Sequence, residues 1–527
     1  MSTSSLDAAV CMVVPSEHPP QPARDDAPAA DYLSELIDTS VGFISQMRAT
    51  REELIRGIPV FRFLQGAPRL ALCGRMRSLY QYSRISRELD EFWSHSWRAP
   101  MWKKYVTVLL LNNVIPALVV GMLSAFLGAL GFLTGVLPRW EDGSHHECRW
   151  CTLLGNAAYY LTLLLFPRRR MVFLDHACVM QSDQALKAET VVSMGGILKS
   201  CKSMLVLWDR TYVTRLWCMF ELSAFLHIRN EQSRDLAICP IHLGPVVFGG
   251  QLGLTMMVLA AVFWKENTWV IDYRIPTGVC LILCFTAVAH VMRASWRDID
   301  VMKQQLSEFR IEHTRSQCCE TKPAHPLVCD RDILLRCITV WFGSIEKFEL
   351  RVRREVQDAL LRQLMKEAFS YSRLVQLNAP VLWFFLDRSF TYETTDERIA
   401  GAVQAFTHWL VIGPTSAQIG LWIVLHLRSQ YCKGCLDVLV SVIAVLIFAV
   451  VLALTASLEN DVVYGYTPNR LSGSLLYLGI SAVVATVLFQ CSPFLQRPMV
   501  QRQAPDLGHN YSPDMAERIG SDPACRS

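Results

Sequence analysis

Charge is scarce in this chain. Asp, Glu, Lys and Arg make up 19% of its 527 residues, against about 25% in a soluble domain, which excludes a fold that faces water on every side. No P-loop, internal repeat or basic nucleic-acid patch is found, so the patterns of a P-loop nucleotide hydrolase, a solenoid and a nucleic-acid binder are all missing. The first thirty or so residues are rich in Pro, Ser, Ala and Asp and lack the apolar core of a secretory signal. They read as a disordered tail, and the first long apolar run is expected to direct insertion. The chain has 18 cysteines, but most lie in apolar runs or in segments expected on the reducing side, so no disulfide framework is expected.

What the chain has in excess is apolar length. Hydrophobic residues reach 52%, and seven runs approach or exceed the roughly 20 residues that cross a bilayer: 105–137, 151–166, 246–264, 275–292, 402–427, 436–458 and 471–489. Lys and Arg near the span ends set the orientation. Residues 48–104 hold 12 basic and 5 acidic residues, and Arg168-Arg169-Arg170, Arg293, Arg297 and Lys303 follow the second and fourth runs. This places the N-terminal region, and the segment between the two apolar hairpins, in the cytoplasm. The last three runs break the rule, because simple counting puts Arg428 and Lys433 outside and the acidic 459–467 loop inside. An extra crossing near 379–386, or a broken helix at Gly413-Pro414, changes that parity, and the sequence leaves both open.

Two CxxC pairs, Cys148-Arg-Trp-Cys151 behind His145-His146 and Cys432-Lys-Gly-Cys435, have ligand spacing suited to zinc. Their ordinary reading is cysteines at membrane edges or a local disulfide. His313, Cys318, Cys319, His325 and Cys329 have no regular spacing. No metal is expected from any of these groups.

The segment between the hairpins reads differently. Met171-Val-Phe-Leu-Asp175 is a short apolar run ending in a carboxylate, 183–200 has a helical repeat, Met204-Leu-Val-Leu-Trp208 is a second buried-strand pattern, and 214–226 is again helical. Strand and helix alternating over about 55 residues indicate α/β architecture with a parallel sheet.

Phe173-Leu-Asp175, Leu205-Val-Leu207, Tyr212 and Arg215-Leu-Trp-Cys-Met-Phe-Glu-Leu222 resemble Toll/interleukin-1 receptor (TIR) domains, which carry an F-[IL]-D strand and a W-C-x-x-E-L helix. The match covers about 75 residues and lacks the family's opening strand in its usual place. Leu89-Asp-Glu-Phe-Trp-Ser-His-Ser-Trp97 is similar to that opening motif in TIR-like proteins of protists and bacteria. If it is the first strand, residues 105–166 are a transmembrane hairpin inserted between strands one and two. The competing reading of 92–97 is an aromatic segment lying at the membrane interface. The resemblance implies that Glu221 is the catalytic carboxylate of an NAD-cleaving enzyme. It also implies that Ser94, His95, Trp97, Asp175, His176 and Trp217 line the NAD site. Many TIR domains are instead adaptors without catalysis.

The expected fold class is an α-helical multi-pass membrane protein with a cytoplasmic α/β domain, flavodoxin-like and TIR-like, split by a transmembrane hairpin. Its expected divisions are a disordered tail (1–45), a basic helical segment (46–89), the split domain (90–104 with 168–243), transmembrane hairpins (105–166 and 244–292), a cytoplasmic helical region (293–401), a C-terminal transmembrane group (402–491) and a second disordered tail (492–527). Ser344 is expected to cap a helix over 344–361 whose apolar face, Ile345, Phe348, Val352, Val356 and Leu360, packs on the α/β domain or on a partner helix. The expected function is a membrane-anchored signalling or adaptor protein, with NAD as a candidate substrate and no resident cofactor. Its expected partners are the lipid bilayer and TIR-like or other proteins, and not nucleic acid. The alternative is a transporter or channel with a regulatory α/β domain, for which His290, His408 and Asp437 are the main ionisable candidates in the spans.

Overall fold

The computed structural model describes residues 27–142, 145–231, 234–263, 274–316, 329–364, 370–429 and 435–491. The outer parts of both expected tails, Cys432 of the second CxxC pair, and Cys318, Cys319 and His325 lie outside them.

Eight strands occur among the described residues: β1 (Arg56–Pro59), β2 (Arg84–Ile85), β3 (Leu89–His95), β4 (Trp140–Asp142), β5 (His145–Glu147), β6 (Met171–Phe173), β7 (Cys201–Trp208) and β8 (Asp235–Pro240). Six form one sheet in the order β2-β1-β6-β3-β7-β8, while β4 and β5 make a separate hairpin. Strand β3 is central. It runs parallel to β6, with Phe92 opposite Phe173, and parallel to β7 from Leu89↔Cys201 to His95↔Leu207. The stretch before the first apolar run is therefore a buried strand, not an interfacial segment. Phe92, Phe173, Met204 and Val206 are almost fully buried, as expected of parallel strands covered on both faces.

The sheet is mixed rather than wholly parallel. Segment 46–89, expected to be helical, contains a helix, Val60–Leu72, but also supplies β1 and β2, and β1 joins β6 antiparallel through Ile58↔Val172. Gly57 makes this possible, because a Cβ there would lie 2.5 Å from the Leu89 side chain. The opposite edge, β8, carries no motif and was not anticipated.

The helices follow in chain order. They are α1 (Ala27–Ser45), α2 (Val60–Leu72), α3 (Met101–Leu133), α4 (Trp150–Leu165), α5 (Asp175–Cys178), α6 (Gln184–Val192), α7 (Met194–Lys199), α8 (Leu216–Glu231), α9 (Leu243–Phe263), α10 (Arg274–Ser307), α11 (Asp330–Phe342), α12 (Ile345–Arg351), α13 (Gln357–Gln363), α14 (Tyr371–Leu377), α15 (Ala379–Thr391), α16 (Thr395–His426), α17 (Cys435–Gly465) and α18 (Arg470–Gln490). Helix α1 corrects the expected N-terminal tail over 27–45. It is held where Trp341 Nε1 donates to the Ser45 carbonyl at 3.2 Å and Arg336 pairs with Asp38 at 2.6 Å. The single helix expected over 183–200 is two, broken at Ser193, whose hydroxyl accepts from the Thr50 backbone at 3.0 Å.

Segment 344–361 packs as its spacing predicts. Ser344 Oγ accepts from Lys347 N at 3.3 Å, and Phe348, Val352, Val356 and Leu360 are fully buried. Just beyond, Gln363 Nε2 donates to the Leu236 carbonyl at 3.2 Å and Gln363 Oε1 accepts from Ile238 N. These bonds occupy backbone groups of edge strand β8 that would otherwise recruit another chain.

Five helices (α3, α9, α16, α17 and α18) are long and apolar enough to cross a membrane, and α4 is a shorter apolar helix. Leu123, Phe126 and Leu127 on α3, Val450 and Leu454 on α17, and Val483 on α18 stand exposed, an arrangement stable in lipid rather than water. Helices α3 and α4 form the insertion between β3 and β6. Within it Asn113 Nδ2 donates to the Leu163 carbonyl at 2.9 Å. Gly121 and Gly155 leave room for the Trp383 ring, which would lie 3.0 and 2.6 Å from a Cβ at those positions.

Trp383 belongs to α15, and this helix settles how the last helices alternate. Asp387, near the C-terminal end of α15, touches Cys148 and Cys151 at the end of the α3–α4 hairpin remote from the sheet. Helix α16 runs back: Arg428, just past its end, bonds Asp300 at 2.7 Å, and the Arg428 carbonyl accepts from Arg297 at 3.0 Å. Helix α17 then leaves again, bringing Glu459 to Gln404 and His408, and α18 returns Phe489 to Tyr371. Together α14 and α15 run the length of the neighbouring helices, broken at Asn378. The ends of α16 and α18, and the start of α17, therefore lie on the sheet side.

Candidate functional site

The C-terminal ends of β3 and β7 converge with the start of α8. In the parallel strands β6-β3-β7-β8, the first in sequence, β3, is flanked by the second and third. Connections then leave the C-terminal ends of β3 and β7 in opposite directions, toward β6 and β8, and such a switch point is where ligands commonly bind in open α/β sheets.

Glu221, on the second turn of α8, lies at this switch point. Ser94 Oγ donates to Glu221 Oε2 at 2.6 Å and lies 2.8 Å from the Tyr212 hydroxyl. The Tyr212 hydroxyl also donates to the Cys218 carbonyl at 3.4 Å, so Tyr212, Ser94 and Glu221 form one hydrogen-bonded cluster. Burial, aided by the charge of Asp175 and opposed by the Ser94 hydrogen bond, pushes the Glu221 carboxyl up to about 8. The group is held largely neutral at pH 7 and is readily ionised by a modest change in its surroundings. Tyr212 itself is fully buried, with its ring 4.7 Å from that of Trp208.

A second group sits where β3 and β6 end. Trp97 Nε1 donates to Asp175 Oδ2, and His176 N donates to Asp175 Oδ1 at 2.6 Å. The Trp97 and His176 rings stack with centroids 4.4 Å apart, and His95 Nε2 lies 3.7 Å from Asp175 Oδ1. Burial drives the His95 imidazole down to about 3, against the pull of Asp175 and with a further push from Lys104. Burial likewise holds His176 below the ordinary histidine value. It pushes Asp175 the other way, but His95, His176 and the Trp97 hydrogen bond outweigh it, and the Asp175 carboxyl lies below its ordinary range.

Ser94, His95, Trp97, Asp175, His176 and Glu221 thus come together at one sheet edge. Trp217 stands apart from them in its ring contact, edge-on to Phe220 at 5.6 Å. Sequence reasoning missed Ser96, Thr211 and Asp209, which close the other wall. Ser96 Oγ lies 2.6 Å from Thr211 Oγ1, which donates to Asp209 Oδ2 at 2.7 Å. Their signal was a position within three residues after a strand end, directly after it for Ser96 and Asp209. Lys104 Nζ donates to the Ser96 carbonyl at 2.6 Å, tying α3 to the same edge.

The remaining sequence candidates lie elsewhere. Cys148 and Cys151 do approach each other, and Cys148 Sγ donates to Asp387 Oδ1 at 3.1 Å. The Asp387 carboxylate also accepts from Cys151 N at 2.9 Å and Thr152 N at 2.8 Å, so it caps the start of α4. Asp437 pairs with Arg293 at 2.8 Å and Arg297 at 3.3 Å, with His290 3.7 Å away, and His408 pairs with Glu459 at 3.1 Å.

Comparison with protein-family models, with curated proteins and with solved structures finds no match for this chain.

Proposed function

We propose that this protein is a membrane-anchored signalling protein of TIR-like, flavodoxin-like type, whose α/β domain is split by the α3–α4 hairpin and cleaves NAD through Glu221. The observation that carries the reading is the hydrogen-bonded cluster of Tyr212, Ser94 and Glu221. It joins residues of β3 to the W-C-x-x-E-L helix across the switch point. In the reaction the bond between ribosyl C1′ and the nicotinamide nitrogen breaks, and its electron pair leaves with neutral nicotinamide. Water adds to C1′ and a proton is released. An ionised Glu221 stabilises the positive charge developing on the ribosyl carbon and accepts a hydrogen bond from a ribose hydroxyl.

Detergent-purified protein incubated with NAD is expected to release nicotinamide, and Glu221→Ala is expected to lower the rate at least a hundredfold. Because the ionised carboxylate is the active form, release should rise with pH through about 8 and then level off. Release no faster than the Glu221→Ala background would remove catalysis and leave an adaptor that acts through TIR-like or other protein partners. The transporter alternative draws less support, since His290, His408 and Asp437 are each engaged in internal ion pairs.

The sheet side is proposed to be cytoplasmic. With α14–α15 counted as a traverse, Arg428 falls on the side of Arg168–Arg170, and the acidic 459–467 loop falls on the other. A glycosylation acceptor inserted at 464–467 is therefore expected to be modified in microsomes, and one inserted at 430–433 is not. The reverse pattern would overturn the orientation.

A further inference from the structure

At the end of β3 a buried histidine nitrogen and a carboxylate oxygen face each other without a hydrogen bond between them. His95 is buried, and its Nε2 makes no hydrogen bond. That nitrogen lies 3.7 Å from Asp175 Oδ1. A buried polar atom without a partner is costly. A cation relieves it.

The third donor is His176, next to Asp175 in sequence. One ligand atom from each of His95, Asp175 and His176 lies within 4.8 Å of the others. Two ligands about 2.1 Å from a tetrahedral ion are about 3.4 Å apart, so the 3.7 Å His95–Asp175 spacing already fits and His176 has at most about 1.4 Å to close. The ring of His176 is steered by its stack on Trp97, and the Asp175 carboxylate by the Trp97 indole and the His176 backbone. These are the supports that fix ligands around a metal. Lys104 is the opposing charge, and its ammonium is committed to the Ser96 carbonyl.

We propose that His95, Asp175 and His176 form a binding site for a divalent transition-metal ion, with two imidazoles and one carboxylate as ligands. Such a donor set suits zinc, iron(II) or manganese rather than calcium or magnesium. Three protein ligands leave at least one coordination position for water or an oxygen of a bound ligand, such as a phosphate. The site stands whether or not Glu221 cleaves NAD.

The test uses full-length protein in detergent, stripped with EDTA and carrying Cys148→Ser and Cys151→Ser to silence the thiol pair. Titration with Co²⁺ is expected to give visible absorption bands that saturate at one ion per chain and are displaced by Zn²⁺. Asp175→Asn and His176→Gln should each weaken binding at least tenfold and alter the bands, while Glu221→Gln leaves both unchanged. The partly exposed His176 supplies a variant whose folding does not depend on a core side chain, and unchanged Co²⁺ affinity in His176→Gln, or no saturable binding by the parent, would overturn the proposal. Nicotinamide release is read separately, so failure of the metal site and failure of NAD cleavage are distinguishable.

Discussion

Asp437→Ala is expected to destabilise the protein by about 3–5 kcal/mol, the cost of leaving one partner of a buried ion pair uncompensated. Arg293 has no solvent exposure, and its guanidinium makes five hydrogen bonds. They go to the carbonyls of Leu427, Ser429 and Asp437, to Ser441 Oγ and to Asp437 Oδ1. It thereby pins α10 to the end of α16 and the start of α17. Removing the Asp437 carboxylate leaves Arg293 charged and buried, with Arg297 also losing its 3.3 Å partner. Thermal melts in detergent, followed by tryptophan fluorescence, should show the loss. The double variant Arg293→Met, Asp437→Leu should recover at least half of it, because apolar groups need no compensation. A melting temperature for Asp437→Ala within about 2 °C of wild type would show that α17 is held by other contacts.

That network also marks the limit of what could be read from sequence. The long apolar runs were legible because a bilayer imposes length and composition on each helix separately, and five helices meet that requirement. Asp437 and Arg293 are 144 positions apart, so nothing local joins them. The α14–α15 pair was half legible. Its apolar stretch near 379–386 is short and interrupted at Asn378, and it is stabilised by Trp383 resting on Gly121 and Gly155, contacts formed only by folding. Strands β6 and β7 could be read because buried parallel strands are continuously apolar, whereas β1 begins with Arg56-Gly57 and β8 with Asp235, where neither signal operates.

The candidate site follows the same division. Ser94, His95 and Trp97 were identified through a strand motif, and Glu221 through a helix motif. Residues 94 and 221 meet because β3 aligns with β7 over six paired positions. The unpaired Nε2 of His95 has no sequence signature at all. It depends on burial and on the neighbouring strand delivering Asp175. The walls formed by Ser96, Thr211 and Asp209 were missed for a simpler reason, since single hydroxyls and carboxylates after a strand are common and gain meaning only when two strand ends adjoin.

Glu221→Gln should make the protein more stable than wild type at alkaline pH and equal to it near pH 4.5. The carboxyl has its pKa raised from 4.5 to about 8 in the folded chain, chiefly by burial, with Ser94 opposing and Asp175 assisting. Below about 4.5 it is neutral both folded and unfolded. Between 4.5 and 8 the unfolded chain loses the proton and the folded chain keeps it, so wild-type stability falls as pH rises, and above about 8 the loss is complete. At about 1.4 kcal/mol per pH unit the full linkage is on the order of 5 kcal/mol, and relaxation around a partly exposed side chain reduces the expected difference to about 2–3 kcal/mol. Glutamine keeps an oxygen to accept from Ser94 and has nothing to ionise, so its melting temperature should exceed wild type progressively from pH 5 to 9. Parallel curves for the two proteins over that range would mean that Glu221 ionises freely in the fold. If the curves diverge, the pH at which wild type is least stable is the pH at which nicotinamide release is expected to be fastest, because one ionisation costs stability and arms the site.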